Sequence, residues 1–292
     1  MYHGLTKDHV ELFDKIAEIG GQFNVAKQIP GKEEFYETIR YFNKQLALHN
    51  VKVNLKSEQS AESLLAAGFD DVVLATGIKP RKLDIEGIEH PKVLSYLQVL
   101  REKVTVGEKV AIIGAGGIGF DVASYLVESG ESLSVNQEAW LKHWGVDKSY
   151  QHTGALDSEK LFEKAPSDRQ ITLLQRKTTK VGKGLGKTSG WVHRANLAKH
   201  NVNMIPGVSY KSVSDQGLLI EVAGKEQLLD VDNVIICAGQ EPNRDLQQAL
   251  EQGGVWFIFL DVVSSELEAG KPESLFILEV IGEVFEIDRA DA

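Results

Sequence analysis

Two short groups of residues in this chain have the types and spacing to do chemistry, and both suit a nucleotide. The first is the run Gly114-Ala115-Gly116-Gly117-Ile118-Gly119. Glycines spaced G-x-G-x-x-G let a backbone turn so tightly that a pyrophosphate can reach its N–H groups. The second is the adjacent pair Arg176 and Lys177. A guanidinium grips a phosphate through two parallel bonds, and an ammonium beside it adds a point charge.

The elements around these residues decide whether the spacing means anything. Four apolar residues, Val110 to Ile113, run straight into Gly114, and a helix-forming pattern follows the last glycine. Strand, glycine turn and helix together make the context of a dinucleotide fingerprint. Gly114 permits the sharp turn, Gly116 the approach of a pyrophosphate, and Gly119 the close packing of helix on strand. The phosphates would meet the N–H groups and positive dipole end of the helix. The next strand is Gln170 to Lys177. In such a unit an acid at its end binds a ribose 2′-hydroxyl, whereas a basic pair suits a 2′-phosphate. Arg176 and Lys177 therefore predict NADP(H).

Bulk properties bound the rest. A length of 292 residues suggests about two domains. A net charge of -10 argues against nucleic-acid and acidic-membrane surfaces. No apolar run approaches the roughly 18 residues that span a bilayer, and MYHGLTKDH holds no apolar signal core. The single cysteine, Cys237, excludes an internal disulfide, a CxxC redox pair and a cysteine-ligated iron–sulfur cluster within this chain. It fits a reduced, cytoplasmic setting. No metal site is expected.

Along the chain, His9 to Asp14 reads as a short strand ending on an acid. A glycine-containing loop follows, then a helical stretch from Glu33 to His49 with Phe35, Ile39, Phe42 and Leu46 at helical spacing. Val51 to Leu55 and Asp70 to Gly77 read as strands. Pro80, Gly87 and Pro91 mark a linker. Residues 129–169 form a long insertion with Trp140 and Trp144, expected to carry function or local helices. VNMIPG, LLIEV and VDNVIICAGQEPN are strand-rich. VVLATGIKPR and VIICAGQEPN resemble each other, which hints at two related nucleotide-binding units. Cys237 lies in a buried strand pattern and reads as core, and His193 as structural.

Several runs resemble one family closely: GGQFNVAKQIPGKEEFYETIRYF, HPKVLSYLQVL, IIGAGGIGFD, LLQRKTTKVGKGLGKTSGWVHR, VNMIPGVSY and DNVIICAGQEPNR. From about His9 to about Gly254 the chain looks like the C-terminal half of the NADPH-dependent 2,4-dienoyl-CoA reductases, iron–sulfur flavoproteins related to old yellow enzyme. The resemblance implies an α/β fold of two Rossmann-like units, an NADP(H) domain inserted in an FAD-binding domain. It implies an FAD part over residues 1–106, an NADP(H) domain over 107–243 with the insertion 129–169, and a remnant of the FAD part with an atypical acidic tail over 244–292. In the family NADPH reduces FAD, and electrons pass singly through a 4Fe–4S cluster to FMN in a TIM barrel.

Carried over by resemblance, Asp14 matches the acid on the adenosine ribose of FAD, and Gln22 and Lys32 match FAD contacts. Ala75, Thr76 and Gly77 match a turn passing close to the flavin nucleotide. Gly114, Gly116, Gly117 and Gly119 match the NADP pyrophosphate loop, and Arg176 and Lys177 the 2′-phosphate pair. Trp191 matches an aromatic near both FAD and NADP, with a buried core tryptophan as the alternative. No residue is carried over as catalytic.

The chain also departs from the family. It contains no barrel, and with the barrel go the FMN site, the cluster cysteines and the proton donors. Only eight residues precede HVELFD, so the first strand of the FAD part and its own glycine loop are missing from this sequence, and the FAD-binding domain is incomplete. No glycine stands at the turn after Gly254. These departures predict a chain that binds NADPH more tightly than NADH and carries little FAD. Three roles remain: an NADPH:flavin reductase module, an NADP(H)-binding fragment without turnover, or a subunit completing a separate barrel protein that carries FMN and an iron–sulfur cluster.

Overall fold

A computed structural model describes residues 9–259, apart from 129 and 166. The segment before His9 and the acidic tail from residue 260 lie outside the described residues. The elements in chain order begin with β1 (Glu11–Asp14), α1 (Phe23–Ala26), α2 (Glu34–Leu48), β2 (Lys52–Leu55), α3 (Ala61–Ala67), β3 (Asp71–Leu74), β4 (Ile78–Pro80), β5 (Val93–Ser95) and α4 (Tyr96–Leu100). Next come β6 (Lys109–Ile113), α5 (Gly117–Val127), α6 (Gln137–His143), α7 (Ser158–Phe162), β7 (Gln170–Leu174), α8 (Gly190–Lys199), β8 (Asn203–Ile205) and β9 (Val208–Ser214). The chain continues through β10 (Gly217–Val222), β11 (Lys225–Leu229), β12 (Asn233–Ile236), β13 (Gln240–Pro242), α9 (Gln247–Gly253) and β14 (Trp256–Phe259). The fold is mixed α/β with parallel sheets, as expected from the sequence.

The chain divides into two compact units. The larger comprises Asn24–Glu33 and Pro80–Gly239. Its centre is a five-stranded sheet in the order β5-β12-β6-β7-β8, every pair parallel. Val110, Ala111, Ile112 and Ile113 of β6 are fully buried, as a central strand covered on both faces requires. One face packs on α5, with Phe120, Val122 and Ala123 against Ile112, Leu173 and Leu197. The other face carries Ala111, Ile113 and Leu174 against Leu218 and Ile220 of the antiparallel sheet β11-β10-β9. Val25 and Ile29, from the early segment, complete the first of these clusters.

The stretch read as a linker contributes to this unit. β5 pairs with β12, and α4 is closed by a capping box in which Ser95 and Gln98 satisfy each other's backbone N–H groups. The insertion 129–169 holds α6, α7 and two turns of tight helix. Lys199 secures it, its Nζ donating to the carbonyls of Lys160 (3.1 Å) and Leu161 (2.8 Å).

The smaller unit comprises the chain up to Phe23, Glu34–Lys79 and the chain from Gln240. It holds two parallel strand pairs, β1 with β2 and β3 with β14. Ala61, Leu64, Val72, Leu74 and Leu250 form its core. Of the apolar stripe on α2 only Ile39 is buried. Among the described residues no helix is long and apolar enough to cross a membrane.

Candidate functional site

The glycine turn sits at the C-terminal end of β6, and its four glycines do two different jobs. Gly114 has φ +108°, and a Cβ there would stand 2.6 Å from the Cys237 carbonyl oxygen. A Cβ on Gly119 would stand 1.8 Å from the Gly114 oxygen. These two glycines let backbone pass backbone. Around Gly116 and Gly117 an added Cβ would meet nothing within 4 Å. They present the bare backbone that a ligand could approach. Gly116 is the N-cap of α5 and offers no side-chain cap. The first-turn N–H groups and the positive end of the dipole are thus presented by an eleven-residue helix.

β7 ends at Leu174, short of the expected Lys177, and Arg176 and Lys177 follow it after Gln175, both exposed. Behind them the Tyr210 hydroxyl donates to the Leu174 carbonyl at 3.4 Å. Burial pushes its phenol up to about 12, with the Arg176 charge opposing. Trp191, in the first turn of α8, is 60% exposed, so it is not a core residue.

Lys32 lies in the larger unit and forms a 2.7 Å ion pair with Asp121 of α5. Asp121 stands one turn beyond Gly117. The Lys32 loop is tied down beside it: the Gly31 N–H donates to Ser132 Oγ (3.2 Å) and Glu33 Oε1 (3.1 Å). His193 of α8 faces the same pair. Burial holds its imidazole below the usual range, with Asp121 pulling it up and Lys32 pushing it down. Sequence reasoning assigned no role to Asp121. Its signal was available: an acid on the helix of the glycine motif, inside the run IIGAGGIGFD. Cys237, at the end of β12, is buried, and that burial pushes its thiol up out of the ionising range.

In the smaller unit, Asp14 ends β1. Its Oδ1 accepts from the Ile16 N–H (3.0 Å) and its carbonyl from the Ser57 N–H (2.9 Å). Gln22 follows two glycines of positive φ, Gly20 and Gly21, at the head of α1. Ala75, Thr76 and Gly77 form an exposed turn after β3. Thr76 Oγ1 donates to the Asn243 carbonyl (2.6 Å), and the Asn243 N–H donates to the Gly77 carbonyl (2.9 Å). The Asn243 Oδ1 is buried and has no hydrogen-bond partner among the described residues. The structure thus gathers the glycine turn, Arg176, Lys177, Trp191 and Lys32 in the larger unit, and Asp14, Gln22 and Ala75–Gly77 in the smaller.

Comparison with known proteins fits this geometry. The family model described as pyridine nucleotide-disulphide oxidoreductase matches residues 8–258. A metal reductase of Desulforamulus reducens is 26% identical over 267 residues, which cover 85% of this chain and 36% of the relative. A bilirubin reductase of Mediterraneibacter gnavus is 26% identical over 256 residues, covering 87% of this chain and 34% of that protein. In fold, the chain resembles a 2-naphthoyl-CoA reductase solved with 2-naphthoyl-CoA, with a TM-score of 0.70 and 23% identity over 90% of this chain and 34% of that one. The chain spans about a third of the length of these proteins.

Proposed function

The chain belongs to the pyridine nucleotide-disulphide oxidoreductase family, whose domains bind FAD and NAD(P)H, and from that premise we propose that it is the NADPH-to-flavin part of a reductase resembling the 2,4-dienoyl-CoA reductases. The observation that carries this reading is the open backbone at Gly116 and Gly117 on the head of α5, with two exposed cations at the end of the next strand. When bound, NADPH supplies a hydride and FAD accepts it. The chain's own residues hold and orient. The α5 N-terminus would take the NADP pyrophosphate, and Arg176 and Lys177 the 2′-phosphate. Asp14, Gln22 and the Ala75–Gly77 turn would hold FAD, with the orphaned Asn243 oxygen beside that turn able to accept from a donor. Lys32, an FAD contact by resemblance, stands in a loop fixed by its pairing with Asp121. The disulfide of the family's name has no counterpart within this chain, which has one cysteine.

Reduction of a dienoyl-CoA would take place on a barrel domain or subunit carrying FMN and a 4Fe–4S cluster, in the cytoplasm. A second reading, NADP(H) binding without turnover, draws on the smaller unit. There, among the described residues, β1–β2 and β3–β14 are separate pairs. On that reading the purified chain shows little flavin absorbance, and stoichiometric flavin peaks would reject it.

Fluorescence titration tests the nucleotide assignment. NADPH should bind more tightly than NADH. Charge-assisted bonds contribute about 1.5–3 kcal/mol, so Arg176→Ala with Lys177→Ala should weaken NADPH about 10- to 100-fold. NADH binding should be nearly unchanged. Equal losses for both cofactors would sink the 2′-phosphate assignment.

A further inference from the structure

The insertion 129–169 has no part in the reading above, yet its first turn is bonded to the loop that carries Lys32. The segment Asn24–Glu33 belongs to the larger unit, and its two halves are held in different ways. Burial holds the first half, with Val25 and Ile29 in the core. Lys103 Nζ adds a bond to Gln28 Oε1 at 2.9 Å. The second half is Pro30-Gly31-Lys32-Glu33, and none of it belongs to that core. Gly31 has φ +87°, and a Cβ there would meet nothing within 4 Å, so close packing does not hold this tip.

Polar bonds hold it instead, and they come from the insertion. The Gly31 N–H donates to Ser132 Oγ at 3.2 Å, and Ser134 Oγ donates to Glu33 Oε2. Ser132 caps the tight turn Leu133–Val135 by accepting from the Ser134 N–H, which brings the two hydroxyls within 3.0 Å of each other. Glu33 Oε1 accepts from the Gly31 N–H at 3.1 Å, so the four residues close a ring. Burial alone would raise the Glu33 carboxyl, but the two serine hydroxyls and the Glu33 and Gly31 N–H groups outweigh it and hold the group below the usual carboxylate range. The ring grips the neighbours of Lys32 on both sides. A lysine stem is flexible, so the backbone that carries it decides where its ammonium can rest. Here it rests on Asp121.

We propose that Ser132 and Ser134 are positioning residues for Lys32: through Gly31 and Glu33, the start of the insertion holds Lys32 against Asp121, ready for the flavin nucleotide. This rests on the reading that Lys32 contacts FAD. A group already held in its binding position spares the ligand the cost of ordering it. The insertion thereby acts on flavin binding without touching the flavin.

The test uses the full chain and two readouts: acetylation of Lys32 followed by mass spectrometry, with exposed Lys180 as internal reference, and fluorescence titration with FAD and with NADPH. In Ser132→Ala with Ser134→Ala, Lys32 should react faster and FAD should bind about two- to tenfold more weakly, the order of one lost hydrogen bond, while NADPH changes by less than about twofold. Glu33→Gln, which keeps the shape and removes the charge, should act in the same direction. The double Thr variant keeps both hydroxyls and should restore both readouts. Lys148→Ala breaks the 2.7 Å pair with Glu138 elsewhere in the insertion and should change neither. Unchanged Lys32 reactivity in the double Ala variant would overturn the proposal, as would equal losses of FAD and NADPH or the same effects from Lys148→Ala. If Lys32→Ala leaves FAD binding intact, or the wild-type chain binds no FAD, the flavin reading of Lys32 falls and this role falls with it. Lys32 reactivity then still shows whether the serines hold the loop, so the two failures are told apart.

Discussion

Gly116→Ala and Gly119→Ala add the same methyl group three residues apart, and the structure predicts opposite consequences. At Gly119 the new Cβ would stand 1.8 Å from the Gly114 carbonyl oxygen. That oxygen is backbone, and Gly114 is itself fixed by its N–H bond to the Leu174 carbonyl at 3.1 Å. Overpacking of a tight core costs about 1–3 kcal/mol, and an obstacle made of backbone puts this case at the upper end. At 2–4 °C per kcal/mol for a unit of this size, the melting temperature should fall by about 6–12 °C. At Gly116 the Cβ meets nothing within 4 Å. Replacing glycine by alanine at an N-cap costs about 1 kcal/mol, and the stiffer unfolded chain returns about 0.4–1 kcal/mol. Stability should therefore change little. The methyl group would instead stand where a pyrophosphate must approach. Loss of one charge-assisted backbone contact, about 1.5–3 kcal/mol, weakens NADPH about 10- to 100-fold. Thermal unfolding by circular dichroism without ligand, and NADPH titration by fluorescence, measure the two effects separately. Equal melting losses in both variants, or undiminished NADPH affinity in Gly116→Ala, would refute the division of labour among the glycines.

Two further outcomes follow from burial. His143, His193 and His200 all have imidazoles held below the usual range, chiefly by desolvation, and His143 stacks on His200 at 6.1 Å beside Lys199. They fold neutral, so the unfolded chain binds more protons below about pH 6.5. Their stabilisation is complete above that pH and declines as pH falls toward the folded values. Melting temperature should drop between pH 7.5 and 5.5, and His200→Gln should flatten the slope; an unchanged slope in the variant would argue against it. Cys237 is buried with its thiol pushed up. A thiol reagent should react with it only as fast as the larger unit opens, and rapid labelling of the native protein would contradict that burial.

What could be read from the sequence follows from how local each determinant is. The strand, glycine turn and helix at 109–127 were legible because steric limits within six residues dictate the glycines. β7 was legible by its order after that unit, although it ends at Leu174, before the basic pair. β5 was not. It is three residues long, and its partner β12 lies far along the chain, so only turn-forming Pro and Gly residues were visible. The Lys32–Asp121 pair was hidden for the same reason, its members lying 89 positions apart. The α2 pattern promised a buried stripe from four apolar residues, yet Ile39 alone is buried, because periodicity reports a face and not what covers it. The Gln175 amide, which bonds the carbonyls of Lys177 and Thr179 and the Gly182 N–H, was invisible because such backbone partners exist in every sequence.

The similarity of VVLATGIKPR to VIICAGQEPN has a topological meaning once β4 and β13 are seen paired. The Arg81 N–H donates to the Gly239 carbonyl (3.1 Å). The two main crossings of the chain are therefore neighbours, and the 80–239 stretch begins and ends at one place. Such a stretch looks like a cassette that could be lifted out and spliced elsewhere with a short join. It is not quite one. Val25 and Ile29, supplied by the separate segment Asn24–Glu33, fill the same core as Phe120 and Leu197. A transplanted cassette would arrive with an empty socket, and a successful graft must carry that ten-residue wedge along with it.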